Sequence, residues 1–342
     1  MKNNVLFQSH LPTRNQFPVE SVLFYDQILD SKPFFKKWKK GFQYQMPLKA
    51  GESLKTLESL QKVLKKLSRM SLPQTTQLTF IAVGGGSVGD FVGFLSSIFL
   101  RGRIFVQIPS TWLAAIDSAH GGKNALNFDH QKNQLGTVYT AHRVYIVHQL
   151  LTAQPQVRLN EAMGEVIKMG VINSPHLFEQ VESNEDDFKE KNLISILPQL
   201  IAAKMKVVQT DLYETKGLRR VLNLGHTMGH VFESHYKMAH GEAVLFGTLF
   251  AARFSFHLGL LKENDFIRIS NLIFSFTSKN SMQNLLQKMK RAQIQKLLLK
   301  DKKVTAENVM DFIFIKKIGF VIRQKVSVQK ILDEVERQAT EF

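Results

Sequence analysis

The stretch Leu78–Asp90, with the sequence LTFIAVGGGSVGD, gives the most direct indication of the fold. Its first part, Leu78–Val83, is an apolar run typical of a strand buried in a sheet. Three glycines, Gly84 to Gly86, follow at once, and Phe91–Leu100 then has a helical composition. Glycines let the backbone approach a pyrophosphate closely, and a helix N-terminus offers N–H groups to an anion. The pattern alone predicts a dinucleotide-binding loop or, equally well, a tight strand-to-helix turn.

Further apolar runs alternate with helical patterns on both sides of this stretch. Val22–Tyr25, Ile104–Ile108 and Val144–Val147 have the composition of buried strands. In Ser53–Leu67, by contrast, the apolar residues recur at helical spacing. Strands separated by helices predict a parallel sheet with helices on both faces.

The pattern changes beyond Pro155, where long helical segments dominate. These predicted helices include Leu159–Gly170, Leu193–Thr210, His226–His235 and Glu242–Leu258. Residues 1–153 are therefore predicted to form an α/β, Rossmann-like nucleotide-binding domain. Residues 154–342 are predicted to form a second, mostly α-helical domain.

The composition narrows the class of protein. The 342 residues include 45 Lys and Arg, 29 Asp and Glu, and no cysteine, which gives a formal net charge of +16. Without cysteine, any transition-metal site must use His, Asp or Glu. The sequence has neither a long apolar run for a membrane helix nor a secretory signal pattern, so a cytoplasmic protein is expected. The charge favours an anionic substrate over nucleic acid, because the lysine-rich runs at 36–40, 62–66 and 288–303 contain a single aromatic residue, Trp38.

Histidines and a carboxylate in the second half provide a candidate metal site. His226 and His230 are four residues apart, which places both imidazoles on one face of a helix. His240 follows shortly afterwards, and Glu165 and Lys168 share a face of another predicted helix. Such ligands suit Zn²⁺ and similar divalent metals, with an open position for a substrate oxygen. The alternative is that these are ordinary surface or core histidines bonded to the backbone.

A segment rich in Gly, Lys and Asn lies between two predicted strands. It contains Asp117, Lys123, Lys132 and Asn133, and it follows Ile104–Pro109. It therefore leaves the carboxyl end of a strand, where open parallel sheets bind ligands. Ammonium and amide groups of this kind recognise a phosphate. The alternative is an ordinary polar loop.

Taken in order, these segments resemble the 3-dehydroquinate synthase family, which is one of the sugar-phosphate cyclases. The resemblance extends from about Gly51 to Val326. It rests on the stretches Gly84–Asp90, Phe99–Gly102, Ile108–Leu113, Asp117–Lys123, Lys132–Asn133, Gly164–Gly170, Gly217–Glu233, His240–Val244 and Asp301–Lys303. It implies a Rossmann-like α/β nucleotide-binding domain followed by a mostly α-helical metal-binding domain.

The resemblance also implies roles for individual residues. The metal, Zn²⁺ or Co²⁺, would be bound by Glu165, His226 and His240. NAD would contact Asp26, Glu52, Lys55, Gly84, Gly85, Gly86, Gly89, Asp90, Ser110, Thr111 and Lys132. The substrate would contact Arg101, Lys123, Asn133, Arg219 and Lys303, with catalytic roles for Asp117, Lys168, Asn223 and His230. Because members of the family are homodimers, Arg101 would reach the site of a neighbouring subunit.

Four features depart from the family pattern, and one of them is that the segment after Lys303 lacks the usual glycine before its final strand. Asn124 follows Lys123 where the family usually has threonine, and Thr140–Ala141 replaces a usual Gln-Pro. Glu214 precedes Gly217 by three residues, whereas the family's acid precedes that glycine by two. Glu214 is therefore a doubtful site residue, but none of the departures removes a metal ligand.

The activity implied by the resemblance belongs to the shikimate pathway. A phosphorylated sugar acid, 3-deoxy-D-arabino-heptulosonate 7-phosphate, would be converted to 3-dehydroquinate and phosphate. The steps would be transient oxidation by NAD⁺, phosphate elimination, re-reduction and aldol cyclisation. Related alternatives are cyclases of the 2-deoxy-scyllo-inosose or epi-valiolone type and iron-type alcohol dehydrogenases. A basic nucleic-acid-binding protein is the alternative outside the enzymes.

Overall fold

The computed structural model describes residues 4–73, 77–129, 131–277, 279–299 and 308–341. The chain divides into two compact units, Met1–Arg158 and Leu159–Phe342. Lys303, which was predicted to bind the substrate, lies outside the described residues. Within the described part of the chain, no helix combines the length and the apolar character needed to cross a bilayer.

The first unit is an α/β fold. Its strands are β1 (Asn4–Gln8), β2 (Ser21–Asp26), β3 (Tyr44–Leu48), β4 (Thr79–Gly84), β5 (Ile104–Pro109), β6 (Lys123–Phe128), β7 (Gln131–Val138) and β8 (Arg143–Val147). Its helices are α1 (Pro33–Lys39), α2 (Leu57–Ser68), α3 (Gly86–Ile98), α4 (Trp112–Ile116) and α5 (His148–Leu151). Helix α6 (Gln156–Asn173) begins at the end of this unit and continues into the second.

Six strands form one parallel sheet in the order β1–β8–β5–β4–β2–β3. Ile81 of β4 pairs with Leu23 of β2 on one side and with Val106 of β5 on the other. β4 is buried along its whole length, as expected for a parallel strand covered on both faces. This sheet confirms the predicted α/β fold class of the first unit.

The strand order reverses between β2 and β4. β3 follows β2 on one side, whereas β5 follows β4 on the other. In open parallel sheets, ligands bind at the carboxyl ends of strands at such a reversal. These ends carry Asp26 and Gly84, so the glycine-rich loop occupies the expected position.

Helix α2 shows how local sequence sets the limits of an element. The Thr56 side chain accepts a hydrogen bond from the N–H of Ser59, which caps the helix N-terminus. The buried face is formed by Leu60, Val63 and Leu67. The predicted start at Ser53 is therefore wrong, because Glu52–Leu54 form a separate 3-10 turn before the cap.

The second unit is mostly helical, as predicted. Besides most of α6 it contains α7 (Pro175–Glu182), α8 (Glu190–Thr210), α9 (His226–Tyr236), α10 (His240–His257), α11 (Glu263–Phe276), α12 (Lys279–Lys288), α13 (Arg291–Leu299) and α14 (Val328–Thr340). β9 (Val309–Lys317) and β10 (Phe320–Ser327) add an antiparallel hairpin. This hairpin forms a small two-stranded sheet in a unit whose other described elements are helices.

Helix α10 lies at the centre of the second unit's core. It buries most of its residues between Gly241 and Phe254. A helix that is apolar on all sides is one surrounded by other elements. The ring of Phe254 lies 5.4 and 5.1 Å from those of Phe312 and Phe314 in β9. This packing anchors the helix whose first residue is His240.

Candidate active site

The turn from β4 into α3 requires glycine at its first position. The carbonyl O of Gly84 accepts a hydrogen bond from the N–H of Ser110 at 2.9 Å. A Cβ on Gly84 would lie 2.5 Å from the Cβ of Val88, so a larger residue would displace the first turn of α3. Gly85 is the N-cap residue of α3 and provides no side-chain cap. The N-terminus of α3 thus has the arrangement that binds an anion such as pyrophosphate.

Lys55 and Asp90, both predicted to bind NAD, form an ion pair beside this loop. Lys55 Nζ lies 2.7 Å from Asp90 Oδ2 and donates a second hydrogen bond to Asn133 Oδ1 at 2.6 Å. Burial raises the pKa of Asp90, and the charge of Lys55 opposes that shift. The pair therefore ties together the segment before α2, helix α3 and strand β7.

Three more predicted cofactor residues lie at strand ends of the same sheet. Asp26 ends β2, and burial raises the pKa of its carboxyl although the N–H of Ile28 donates to it. Ser110 and Thr111 follow β5, and Thr111 caps α4. A Cβ on Gly85 would lie 3.2 Å from Thr111 Cγ2, so this residue lines the glycine-rich loop.

Three predicted cationic residues of the first unit are exposed to solvent. They are Arg101 after α3, Lys123 at the start of β6 and Lys132 on β7. Asp117 follows α4, and its charge adds to the effect of burial in raising the pKa of Asp90. The charge of Asp117 therefore acts on a predicted cofactor residue, while Arg101, Lys123 and Lys132 lie at the surface of this unit.

Three side chains of the second unit converge on one point. Glu165 comes from α6, His226 from the start of α9 and His240 from the start of α10. Glu165 Oε1 lies 3.7 Å from His226 Nε2 and 3.4 Å from His240 Nε2. One ligand atom from each residue lies within 4.8 Å of the others, so a single ion could contact all three. His230 is exposed, with its ring centre 5.4 Å from that of His226.

Two glycines allow α6 and α10 to approach closely enough for this convergence. A Cβ on Gly241 would lie 1.5 Å from the carbonyl O of Glu161. A Cβ on Gly164 would lie 2.1 Å from the carbonyl O of Gly241. The two helices thus meet backbone to backbone at Gly164, which precedes Glu165, and at Gly241, which follows His240. This close approach explains why glycine stands at both positions.

Hydrogen bonds fix the nitrogen that each histidine presents. His226 Nδ1 lies 3.1 Å from the carbonyl O of Leu224. Because a carbonyl only accepts, Nδ1 carries the hydrogen, and Nε2 of the neutral ring is available to a metal. His240 Nδ1 lies 3.2 Å from Glu233 Oε2 in the same way. Metal-binding histidines are typically oriented by such an acceptor on the second nitrogen.

The charges in this cluster are strongly coupled. Burial alone would raise the pKa of Glu165, but the Lys168 ammonium and the two imidazoles hold it well below its usual range. Burial keeps the pKa of His226 well below its ordinary value, so this imidazole is neutral. Burial also lowers the pKa of His240, but the carboxylates of Glu165 and Glu233 outweigh this effect and raise it to about 10.

This donor set fits a divalent metal. Both oxygens of Glu165 are buried, and neither makes a hydrogen bond of ordinary geometry. One carboxylate and two imidazole nitrogens are ligands that Zn²⁺ and Co²⁺ accept. Three protein ligands would leave further positions for substrate oxygens or water.

Arg219 and Asn223, two more predicted site residues, lie on a short 3-10 turn before α9. The loop ahead of this turn is held at two points. The Asp211 carboxylate accepts hydrogen bonds from the N–H of Lys216 in the loop, at 3.1 Å, and from the N–H of Leu218 at the start of the turn, at 2.9 Å. Arg323 of β10 donates to the carbonyl O of Gly217 at 3.1 Å. The buried Arg219 is therefore presented by a restrained loop.

Three polar residues beside these groups are missing from the sequence prediction. Glu233 orients His240, and its place on the same face of α9 as His226 could have indicated it. Lys204 is 4% exposed on α8, the helix that packs against the 3-10 turn before α9. Its position on an apolar face of the helix could have indicated Lys204, because lysine is rarely buried. Asn127 belongs to no motif and was not predictable in this way.

Two departures from the family pattern have a structural reason. The buried Asn124 amide donates hydrogen bonds to the carbonyl O atoms of Gly122 and Tyr139, at 3.1 and 2.8 Å. Glu214 has a left-handed backbone, with φ 56°, and lies 3.6 Å from Arg220. The extra residue before Gly217 is thus accommodated as a bend in the loop.

Comparison with known sequences identifies the family. Residues 45–161 match the family model described as 3-dehydroquinate synthase N-terminal, and residues 162–304 match the one described as 3-dehydroquinate synthase C-terminal. A 3-dehydroquinate synthase from Prochlorococcus marinus (strain MIT 9312) is 36% identical over 304 residues, covering 86% of this chain and 79% of the relative. One from Thermoanaerobacter pseudethanolicus (strain ATCC 33223 / 39E) is 33% identical over 316 residues, covering 91% and 85%.

The chain belongs to the 3-dehydroquinate synthase family. The resemblance predicted from the motifs is thereby confirmed. The structure describes all three residues that the resemblance predicts as metal ligands, Glu165, His226 and His240.

Solved structures of other enzymes share the fold. A 2-epi-5-epi-valiolone synthase from Streptomyces hygroscopicus subsp. jinggangensis 5008, with NAD⁺ and Zn²⁺ bound, has a TM-score of 0.85 at 20% identity, covering 100% of this chain and 97% of that one. A 2-deoxy-scyllo-inosose synthase complexed with carbaglucose-6-phosphate, NAD⁺ and Co²⁺ has a TM-score of 0.83 at 23% identity, covering 98% and 96%. An iron containing alcohol dehydrogenase reaches 0.57 at 12% identity, covering 99% and 97%. At these identities the likeness concerns the fold.

Proposed function

We propose that this chain is a 3-dehydroquinate synthase, a lyase that converts 3-deoxy-D-arabino-heptulosonate 7-phosphate to 3-dehydroquinate and phosphate. Its family membership favours this reaction over those of other cyclases and of alcohol dehydrogenases. The observation that carries the proposal is the convergence of Glu165, His226 and His240 from three helices. Both histidines are already oriented by acceptors on Nδ1, which supports a metal-binding role.

The proposed reaction involves no net oxidation or reduction. One hydroxyl-bearing carbon of the substrate is oxidised, the neighbouring carbon loses a proton, and phosphate leaves. The carbonyl is then reduced again, the sugar ring opens to free its ketone, and an intramolecular aldol addition to that ketone closes the carbocycle. When bound, NAD⁺ would supply the hydride acceptor and donor, and Zn²⁺ or Co²⁺ would supply a Lewis acid.

Residues of the second unit would bind and orient the substrate. Glu165, His226 and His240 would hold the metal. Lys168, one helical turn after Glu165 and in contact with it, would orient a substrate hydroxyl and stabilise negative charge on its oxygen. Arg219 would pair with the substrate carboxylate, because a guanidinium matches a carboxylate at two points. Asn223 and His230 would donate or accept hydrogen bonds at the remaining hydroxyls of the substrate.

Residues of the first unit would bind NAD⁺ and the substrate phosphate. The pyrophosphate of NAD⁺ would lie at the N-terminus of α3, with the adenosine side bound near Lys55. Lys123 and Asn133 would contact the phosphate group. That phosphate would itself accept the proton removed before elimination, since the proposed contacts around it are mainly cations and amides.

We further propose a homodimer in which Arg101 reaches the partner's substrate. Arg101 has a left-handed backbone, with φ 68°, and is exposed next to the exposed apolar side chains of Ile98 and Leu100. Exposed apolar side chains grouped in this way favour a subunit contact. Sedimentation velocity would test the proposal, with a monomer at working concentrations as the contradicting result.

Phosphate release and the NADH balance together test the proposed function. Purified protein with NAD⁺ and Zn²⁺ should release phosphate from the heptulosonate phosphate over many turnovers without accumulating NADH. An alcohol dehydrogenase would instead accumulate one NADH per turnover. Phosphate release only from the sugar phosphates used by the inosose-type or epi-valiolone-type cyclases would refute the assignment.

A further inference from the structure

Asn127 lies outside every predicted site yet joins three residues proposed to bind NAD⁺ or substrate. Its Nδ2 donates a hydrogen bond to Glu52 Oε2 at 2.8 Å. Its Oδ1 accepts one from the backbone N–H of Asn133 at 3.0 Å. Its own backbone N–H donates to the carbonyl O of Lys55 at 2.7 Å. A single residue therefore connects the segment before α2 with the β6–β7 hairpin.

An irregularity in the hairpin makes these contacts possible. The pairing register between β6 and β7 shifts between Leu126 and Phe128, the residues on either side of Asn127. Such a bulge takes one residue out of the strand ladder and redirects its side chain. The N–H of Asn127 consequently bonds to Lys55 rather than to the neighbouring strand.

The same contacts hold Asn133 in its conformation. Asn133 has a left-handed backbone, with φ 57°, which asparagine adopts more readily than most residues. Its side chain accepts a hydrogen bond from Lys55, which also pairs with Asp90. Asn127 thus completes a continuous series of hydrogen bonds from Glu52 through Asn133 to Asp90.

The two side-chain contacts of Asn127 require an amide. The Glu52 carboxylate needs a donor, and the N–H of Asn133 needs an acceptor, so one side chain must supply both. Aspartate at this position would offer acceptors alone and would place a second carboxylate against Glu52. Like charges in contact are destabilising, so this single change is the sharpest available perturbation.

We infer that Asn127 is a positioning residue of the cofactor site. It sets the segment carrying Glu52 and Lys55 against the hairpin carrying Asn133, so that NAD⁺ contacts and a substrate contact are organised together. The inference rests on the proposed function, because that proposal assigns these three residues to NAD⁺ and substrate. Asn127 itself touches neither ligand in this assignment.

The Asn127→Asp variant tests this role through NAD⁺ affinity. Isothermal titration calorimetry of the full, zinc-loaded chain should show a Kd for NAD⁺ raised about 10-fold or more, as for loss of a hydrogen bond to a charged group. The zinc content should stay at the wild-type value. Gln134→Glu is the matched control, since it adds the same charge to the same hairpin, and its Kd should equal that of wild type.

A second background separates positioning from a loss of folding. In the Glu52→Gln variant, the amide at position 52 can donate to the new carboxylate at position 127, which restores the contact with reversed polarity. The factor by which Asn127→Asp raises the Kd for NAD⁺ should therefore be smaller in the Glu52→Gln background than in wild type, by about fivefold or more. A coupling of this size is typical of residues in contact. In Asn127→Asp alone, the KM for the heptulosonate phosphate should also rise more than kcat falls, whereas a smaller folded fraction would lower kcat only.

Two results would overturn the inference alone. These are a wild-type Kd for NAD⁺ in Asn127→Asp, and an equal penalty of that substitution in both backgrounds. A wild-type chain that binds no NAD⁺ would overturn the proposed function and this inference with it. The expected rise in Kd together with its rescue by Glu52→Gln would support both.

Discussion

The Gly84–Asp90 loop and the Glu165–His226–His240 cluster differ in how their polar groups are balanced. Around the loop, backbone geometry prepares an anion site, and Lys55 is already neutralised by Asp90. In the cluster, a buried carboxylate contacts Lys168 and two imidazoles, one neutral and one with a pKa raised to about 10. A divalent ion there would have to displace a proton from His240, because only a deprotonated nitrogen can bind a metal.

This difference indicates that the two regions respond separately to substitution. The loop region is held by hydrogen bonds and an ion pair within the first unit, so its geometry should not depend on the metal. The cluster is held by charges that a metal would rearrange. Changes in the cluster should therefore alter metal content and leave NAD⁺ affinity intact, and changes near the loop should do the reverse.

The largest expected effect is that of His226→Ala. We expect this variant to lose both bound metal and turnover, with activity lowered by more than the roughly 10–100-fold that loss of an outer-shell partner costs. Its Kd for NAD⁺ should remain that of wild type. Metal analysis by mass spectrometry, kinetics and calorimetry on one preparation provide the three values. His235→Ala, which changes an exposed histidine of the same helix, is the control and should retain both metal and activity. An active, metal-free His226→Ala enzyme would refute the ligand assignment.

Lys55→Met should have the next largest effect, confined to the loop region. It leaves the largely buried Asp90 carboxylate without its cation, so the Kd for NAD⁺ should rise by about 10- to 100-fold, the cost of losing a charged hydrogen bond. Metal content should not change. Lys62→Met on the exposed face of α2 serves as the control. Unaltered NAD⁺ affinity in Lys55→Met would contradict the proposed position of the cofactor.

Lys123→Ala should weaken phosphate recognition. Removing an exposed ammonium from the proposed phosphate contacts should raise the inhibition constant of a non-reacting phosphonate analogue about 10-fold. The Kd for NAD⁺ and the metal content should both stay at wild-type values. An unchanged inhibition constant would show that Lys123 does not bind the phosphate.

Asp311→Asn should have the smallest effect. Asp311 of β9 lies 2.6 Å from Arg220 Nη1 and 3.8 Å from Arg323 Nη1, and so supports the loop that presents Arg219. Because Arg220 is largely exposed, the loss should be about 1 kcal/mol or less of folding free energy. The KM for substrate should rise a few-fold at most, with no change in NAD⁺ affinity. Steady-state kinetics check this, and an altered Kd for NAD⁺ would contradict the separation of the two regions.

The parts of the fold with strong local patterns were predictable. β4 is a continuous apolar run because a central parallel strand is buried on both faces. The glycines beside Glu165 and His240 were visible as motifs because only glycine permits the backbone approach of α6 and α10. In such cases a single physical requirement restricts which residue types can occupy the position, so the sequence pattern predicts the structure.

Other features depend on contacts between distant segments and leave no such mark. Asn127 acts through a register shift in the β6–β7 hairpin, which composition does not encode. The start of α2 was misplaced because the helical spacing continues through Glu52–Leu54, and only the Thr56 cap ends it. Glu214 was doubtful because an insertion in a loop gives no information about the conformation that absorbs it.

Metal content measured alongside phosphate release tests the central claim most directly. Protein stripped by a chelator would be titrated with Zn²⁺ in the presence of NAD⁺ and the heptulosonate phosphate. The geometry of Glu165, His226 and His240 predicts that activity returns in proportion to bound zinc and saturates at one ion per chain. Full phosphate release by the metal-free protein would contradict it.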